Sequence, residues 1–225
     1  MGEKANLINA TLIGKVEWYF TSPDAIIKDE RGGDGKLTWK KKAFEDLKST
    51  LARTYTDMPE AARRGIVFEK SVYENAKKEE IKGSPEFISV CRSVQNFSFY
   101  EKEGKKLSTK FGDSYIHCKY DAINRERKCV IDIKTTEKYY KGKYMETVQH
   151  LLYCYVSGCT QFTYLVAEWD QYPKIKKIHQ ENFWVEKDLP GSELKESILY
   201  KVESCLKALK DLDLWDLYRD KYCLY

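Results

Sequence analysis

The stretch that most constrains the fold is VIDIKTT, residues 130–136. Its β-branched residues favour a strand. Side chains alternate across a strand, so Asp132 and Lys134 point to one face while Ile131 and Ile133 point to the other. If helices cover both faces of the sheet, this charged pair is buried, and an unpaired buried charge costs several kcal/mol as an order of magnitude. Either the two side chains pair with each other or with neighbours, or their face is open to solvent, or they belong to a functional site.

Composition indicates a folded, single-domain protein. The chain has 225 residues, of which 42% are hydrophobic and 14% aromatic, which is enough to build one core. The net charge of +4 permits a polyanionic partner without requiring one. The seven cysteines are scattered and form no CxxC pair, and no secretory leader or membrane-length apolar run is found, so we expect a reducing, cytoplasmic setting and no membrane contact.

Periodicity and turn residues predict a mixed α/β fold in which a central mixed sheet, made of an antiparallel meander plus further strands, is flanked by helices. Glycines and charges predict a mobile loop over residues 28–36. The aromatic run Trp18, Tyr19 and Phe20 either stacks on nucleic-acid bases or packs on the core as a strand or loop.

The predicted helices are Trp39–Arg53, one capped by Asp57 that runs to Lys78, a short one from Ser84, one from Lys143 to a stop at Gly158, and one over Glu193–Tyr218. The predicted strands lie in 94–102, 108–123, 128–136, 161–169 and 174–187, with a break at Glu103 to Lys106.

A second carboxylate lies eleven residues before Asp132. Asp121 precedes the NRERK turn, and if the two flanking strands pair as a hairpin, both carboxylates converge on one place. Glu69, on the apolar face of the preceding helix, adds a third acid. Carboxylates held close repel each other unless a cation lies between them. Hard oxygen ligands of this kind select Mg²⁺ or Mn²⁺. Lys134 is then placed either to help orient and deprotonate a metal-bound water or to stabilise charge on a phosphodiester as it is attacked.

This arrangement of motifs resembles the PD-(D/E)XK nuclease superfamily. Asp121 matches its first acid, Asp132 to Lys134 its D-x-K, and Gly65 to Glu69 the G-x-x-x-E of its helix. Residues Gln149 and Tyr153 match the Q-x-x-x-Y of RecB-type exonucleases, while a glutamate at position 69 is more similar to the lambda-exonuclease type.

The resemblance implies a restriction-endonuclease-like core and a set of site residues. Residues 63–185 would form the catalytic core, after an N-terminal helical extension (1–62) and before a C-terminal helix (186–225). Catalysis would rest on Glu69, Asp121, Asp132 and Lys134. The metal would be held by the three acids and the backbone carbonyl of Ile133. Substrate would be bound by Gln149 and Tyr153, and also by Arg63 and Arg64, which lie one turn or so before Glu69 on its helix. The cysteines do not follow the pattern of the iron–sulfur branch, so no iron–sulfur cluster is expected.

Three functions stay open at this stage. The first is a Mg²⁺- or Mn²⁺-dependent DNA exonuclease of recombination, repair or phage replication, which acts on linear single- or double-stranded ends. The second is an endonuclease of a defence system on the same scaffold. The third is a non-catalytic nucleic-acid-binding protein, against which the intact set of acids argues. For the exonuclease we expect a bacterial or phage-infected host cytoplasm, a single-strand-binding or annealing protein as partner, and a homo-oligomer as one alternative.

Overall fold

A computed structural model of the protein describes residues 5–27, 37–54 and 58–224. The predicted loop at 28–36 and the predicted cap at Asp57 lie outside the described residues. The helices are α1 (Ala10–Thr21), α2 (Trp39–Ala52), α3 (Glu60–Ala76), α4 (Pro85–Ser93), α5 (Gln149–Ser157), α6 (Val185–Asp188), α7 (Gly191–Asp211) and α8 (Trp215–Tyr222). The strands are β1 (Ala5–Ile8), β2 (Ser98–Phe99), β3 (Lys102–Thr109), β4 (Gly112–Lys119), β5 (Ala122–Asn124), β6 (Cys129–Thr136), β7 (Gln161–Gln171), β8 (Lys174–Trp184) and β9 (Cys223–Leu224).

The chain forms two compact units, each with its own sheet. The first unit draws on Met1–Thr56, Gly104–His117 and Glu196–Tyr225, and the second on Asp57–Glu103 and Cys118–Lys195. The prediction that the whole chain acts as one catalytic domain stays a prediction.

The first unit carries a four-stranded sheet in the order β3-β4-β1-β9. Strand β1 runs parallel to β4 and antiparallel to β9. Two polar caps start its first helices: the Asn9 side chain accepts a hydrogen bond from the Leu12 N–H, and the Thr38 hydroxyl accepts one from the Lys41 N–H. Strand β1 was not predicted, because four residues hold too few alternations to reveal a strand.

The second unit carries a five-stranded mixed sheet in the order β2-β5-β6-β7-β8. Strand β5 runs antiparallel to β6, β6 parallel to β7, and β7 antiparallel to β8. Helix α5 lies in the connection between β6 and β7, since parallel strands cannot be joined by a tight turn. The predicted mixed α/β class, with helices flanking mixed sheets, is confirmed.

Helix α3 supplies much of the core of this second unit. Its apolar residues recur every three or four positions, which places Phe68, Val72 and Ala76 on one face. These side chains are buried in one cluster with Ile131 and Ile133 of β6. The isoleucines of VIDIKTT therefore face α3, while the alternation turns Asp132 to the other face of the sheet.

Several sequence predictions of elements were wrong, among them the following three. The predicted break at Glu103 to Lys106 lies inside β3; Gly104 is a packing residue there, since a Cβ would lie 2.1 Å from Cε1 of Tyr115. The aromatic run at residues 18–20 is helical and belongs to α1. The last helix is broken before α8, where Asp213 takes a left-handed φ of 56°.

Helix α5 was predicted correctly at its end but not at its start. Gly158 ends it in the left-handed conformation, as predicted, yet the helix begins at Gln149 rather than Lys143. Val148 and Leu152 of the predicted apolar stripe are buried, whereas Leu151 is only partly so. The helix buries additional residues, among them His150, so its buried surface is wider than a single stripe.

Across the described ranges, no helix combines the length and the apolar character needed to cross a membrane.

Candidate active site

Asp132 lies at the centre of the candidate site and is almost fully buried, with 1% of its surface exposed. Gln149, the first residue of α5, donates a hydrogen bond from Nε2 to Oδ1 of Asp132 at 2.5 Å. The Lys134 ammonium lies 2.6 Å from Oδ2. Oδ2 is buried, and this charged contact is its ion pair among the described residues.

Asp121 reaches the same place through the β5–β6 pairing. The register sets Ala122 opposite Ile131, so Asp121, just before β5, lies beside the middle of β6. Its Oδ2 accepts a hydrogen bond from the backbone N–H of Ile133 at 2.9 Å. Burial raises the pKa of Asp121 well above its usual value, and the negative charges of Asp132 and Glu69 raise it further.

Glu69 approaches from α3. The Tyr73 hydroxyl, one turn further along, donates a hydrogen bond to its Oε1 at 2.8 Å. Burial raises the pKa of Glu69; the bond from Tyr73 opposes this effect, and the charge of Asp132 adds to it. Gly65 lets α3 pass close to β6, because a Cβ there would lie 3.2 Å from Oγ1 of Thr135.

Lys134 is the cation of this cluster. Burial disfavours its charge, but Asp132 and then Asp121 outweigh that effect, and the pKa of Lys134 is raised from 10.5. The ammonium is therefore charged at neutral pH. The structure thus brings Glu69, Asp121, Asp132 and Lys134 into one mutually interacting group within the second unit, as the motifs predict. Which of them acts in catalysis stays a prediction.

The two residues of the Q-x-x-x-Y pattern have different surroundings. Gln149 contacts Asp132 directly, as described above. Tyr153 is buried, and its hydroxyl donates a hydrogen bond to the backbone carbonyl of Lys119 at 2.8 Å. Because Lys119 precedes Asp121 by two residues, Tyr153 ties α5 to the segment that carries the second acid. The predicted substrate-binding role of both residues is untested.

Arg63 and Arg64 do not join the cluster. Both lie within ion-pair distance of Glu60 on the first turn of α3. Arg64 also lies 3.6 Å from a carboxylate oxygen of Glu137, and its guanidinium lies 5.0 Å from the ring centre of Tyr172. A contact of either arginine with phosphate would therefore compete with these carboxylates.

Sequence reasoning missed three neighbours of the acids. The Tyr73 hydroxyl donates a hydrogen bond to Glu69, and the charge of Lys119 lowers the pKa of Glu69. Tyr144 interacts electrostatically with Lys134. Tyr73 was visible as a residue one turn after Glu69 on the same face. The sequence held no comparable signal for Tyr144, since the turns at 141–148 that carry it were predicted to be helix.

The carboxylate oxygens of Glu69, Asp121 and Asp132 are the kind of ligand that a hard cation prefers, but they are not arranged around one point as metal ligands are. Among the described residues, no group of three His, Cys, Asp or Glu side chains is arranged as a ready metal site. The oxygens of the three acids instead face Tyr73, the Ile133 amide, Gln149 and Lys134. Three interacting carboxylates are nevertheless opposed inside the cluster by one ammonium, that of Lys134, which is paired with the buried Oδ2 of Asp132. These features fit a group that takes up additional positive charge.

Comparison with known proteins supports the fold. No protein-family model matches the chain, and no curated protein sequence matches it significantly. Among solved structures, the chain is similar to a phage-related exonuclease from Haemophilus somnus 129PT, with 14% identity and a TM-score of 0.52 over 95% of this chain and 96% of that one. It is also similar to SSO0001, with 13% identity and a TM-score of 0.53 over 92% and 78% of the two chains. The chain therefore has a nuclease-like fold.

Proposed function

We propose that this protein is a metal-dependent deoxyribonuclease of the PD-(D/E)XK type, and specifically an exonuclease acting in DNA recombination, repair or phage replication. The observation that carries the proposal is the convergence of Glu69, Asp121 and Asp132 on one another, with Lys134 ion-paired to Asp132. The likeness to the fold of a phage-related exonuclease supports it.

Burial of this much charge has no evident structural benefit. Replacing buried ionic groups by well-packed apolar ones is often neutral or stabilising. Here two of the acids have raised pKa values, because burial and mutual repulsion disfavour their ionised forms. Groups held at such a cost are candidates for function rather than for stability.

The proposed cofactor is Mg²⁺ or Mn²⁺, held by Glu69, Asp121, Asp132 and the backbone carbonyl of Ile133. The all-oxygen donor set and the excess of carboxylates over ammonium groups in the cluster favour a hard divalent ion. When bound, the ion would supply Lewis-acid stabilisation of negative charge on the phosphate.

Lys134 acts in this proposal as an electrostatic group. Asp132 and Asp121 raise its pKa, so the ammonium is protonated at neutral pH in this cluster and is a hydrogen-bond donor there. It can donate hydrogen bonds to a water or to a phosphate oxygen as negative charge develops there. Of the two roles that the D-x-K motif suggests, charge stabilisation is therefore favoured over proton abstraction.

Gln149 and Tyr153 act mainly by positioning. Gln149 fixes Oδ1 of Asp132, and Tyr153 holds the chain just before Asp121. Both are set on α5, so a shift of this helix would disturb two acids at once. Arg63 and Arg64 would contact phosphate only by exchanging their carboxylate partners.

The proposal is tested with end-labelled linear DNA and closed circular DNA, each incubated with Mg²⁺ or Mn²⁺ over a time course. The variants are Lys134→Ala and a matched control, Lys176→Ala, which removes a lysine paired with Glu168 on the β7–β8 pair. We expect degradation of linear DNA only, abolished by EDTA and by Lys134→Ala but not by Lys176→Ala.

Cutting of circular DNA would replace the exonuclease with an endonuclease at the same site. Degradation that survives Lys134→Ala would reject the site. A wild-type protein that leaves both substrates intact yet shifts them on a gel would make this a binding protein.

A further inference from the structure

Three aromatic rings and two lysines form a row on the first unit, at the junction of α1 and α2. We call this row the aromatic–lysine ladder and define it as Tyr19, Phe20, Lys40, Phe44 and Lys48. The Tyr19 ring centre lies 5.1 Å from that of Phe20 and 5.5 Å from that of Phe44. The rings are therefore continuous from one helix to the next.

The lysines flank these rings. Nζ of Lys40 lies 4.3 Å from the ring centre of Tyr19 and 5.6 Å from that of Phe20. Nζ of Lys48 lies 5.0 Å from the ring centre of Phe44. Positions 40, 44 and 48 are four apart on α2, so they share one face and span about 12 Å along the helix.

The ladder is open to a partner at Phe20, whose side chain is 54% exposed. An exposed phenylalanine among further exposed apolar residues, Trp18 and Trp39, is uncommon on a surface without a partner.

The first turn of α2 is positively charged, whereas Lys48, further along this helix, is paired with Glu45 at 2.7 Å. Lys40, Lys41 and Lys42 occupy the first turn of α2, which holds no acidic residue. Cations are disfavoured at a helix N-terminus, where the helix dipole is positive. Among the described residues, none of these three lysines has a carboxylate within ion-pair distance. An anion at this place would relieve an unfavourable arrangement.

We propose that the aromatic–lysine ladder binds single-stranded DNA, with a base stacked on the exposed Phe20 ring and a phosphate held by Lys40, whereas Lys48 would contact phosphate only by leaving Glu45. This inference rests on the proposed function for the choice of nucleic acid. Alternating aromatic and basic side chains bind single strands in this way, because every base has a π face. The bases of a duplex are already stacked on each other, so their faces cannot stack on the aromatic rings. A second copy of this protein is also disfavoured as the partner, because two positively charged surfaces repel each other. The ladder thus gives the protein a preference for single-stranded segments.

The test is fluorescence anisotropy of a labelled oligothymidylate in EDTA, so that binding is measured without hydrolysis. The variants are Phe20→Ala, Phe20→Leu, which keeps an apolar side chain but removes the ring, and Lys40→Ala. The matched control is Tyr200→Ala, which removes an aromatic side chain that is 70% exposed on α7. Circular dichroism checks that each variant is folded.

We expect both Phe20 variants to bind about fivefold to 100-fold more weakly, as loss of one stacked base predicts. Tyr200→Ala should bind like the wild type. Lys40→Ala should reduce the slope of log affinity against log salt by about 0.7, the value for one phosphate contact on a single strand.

Three results would overturn the proposal: unchanged binding by folded Phe20 variants, equal affinity for a hairpin duplex, or equally strong competition by polyglutamate, which would indicate an acidic peptide instead. Because EDTA prevents hydrolysis, this experiment tests DNA binding by the ladder independently of the proposed nuclease activity. A protein that binds oligothymidylate through Phe20 but never hydrolyses DNA retains the ladder and loses the nuclease function.

Discussion

His150 gives the sharpest link between one side chain and the pH dependence of stability. It is buried on α5, with its ring centre 4.7 Å from that of Phe183 and its Nδ1 3.5 Å from the Tyr164 hydroxyl oxygen. Burial among these rings lowers the pKa of His150 from 6.5 to about 4, although the charge of Asp188 opposes the effect.

The magnitude follows from proton linkage. Between pH 6.5 and 4 the unfolded chain binds a proton at His150 that the folded chain does not, so acid favours unfolding. The stabilisation is complete above pH 6.5 and is lost as the pH falls toward 4. At about 1.4 kcal/mol per pH unit, the lowered pKa corresponds to roughly 3 kcal/mol over that range.

The perturbation is His150→Phe, which suits the aromatic surroundings and removes the titrating group. Urea denaturation at a series of pH values from 8 to 4.5 gives the free energy of unfolding of both proteins. We expect the difference between wild type and variant to be constant above pH 7 and to shift in favour of the variant by about 2.5 kcal/mol by pH 4.5. Comparing the two proteins cancels the carboxylates that titrate in both.

The control is Leu152→Ala, a cavity-forming change on the same helix that should lower stability by an amount independent of pH, about 2–5 kcal/mol. If the difference in free energy of unfolding between the wild type and His150→Phe is also independent of pH from 8 to 4.5, the reasoning is refuted.

Three further outcomes are expected. Without divalent ions, Asp121→Asn should raise the melting temperature at pH 7 and raise it much less at pH 4. The reason is that a carboxyl group with a raised pKa destabilises the folded state as the pH rises. Differential scanning fluorimetry measures this, and a lower melting temperature at pH 7 would contradict it. Gly65→Leu should cost about 1–3 kcal/mol by crowding Thr135, whereas Gly14→Leu, with open space around its Cβ, should cost nothing in a chemical denaturation series; equal effects would count against close packing of α3 on β6. Glu181→Ala should accelerate hydrogen exchange of the Gly142 amide, which donates to Oε1 of Glu181 at 3.0 Å, and an unchanged exchange rate would show that this bond does not restrain the loop.

The candidate site was more predictable from the sequence than the fold around it. Alternation in VIDIKTT assigns Asp132 and Lys134 to one face without any tertiary information. The hairpin spacing brings Asp121 beside them, and helical periodicity turns Glu69 inward. These local rules sufficed because Glu69 and Asp132 lie within regular elements and Asp121 directly precedes β5.

Most of the structural features that the sequence did not predict depend on tertiary packing. Gly104 has the composition of a turn but lies in β3, because an aromatic ring on the neighbouring strand covers it. The start of α5 was misplaced, since residues 143–148 have helical composition yet form turns. Tyr144 reaches Lys134 only through those turns. The pairing of Arg63 and Arg64 with Glu60 could have been predicted from their three- and four-residue spacing on a helix, whereas the contacts of Arg64 with Glu137 and Tyr172 depend on tertiary packing.

The most direct test of the central claim is a Mn²⁺ titration followed by electron paramagnetic resonance, on the wild type, Asp132→Asn and Glu168→Gln. Glu168 is a matched control, being a buried acid on β7 that is paired with His179 and Lys176. The account predicts that wild type and Glu168→Gln bind Mn²⁺ alike and that Asp132→Asn loses at least tenfold in affinity. Equal binding by all three proteins, or none by the wild type, would contradict a divalent-metal site at Asp132.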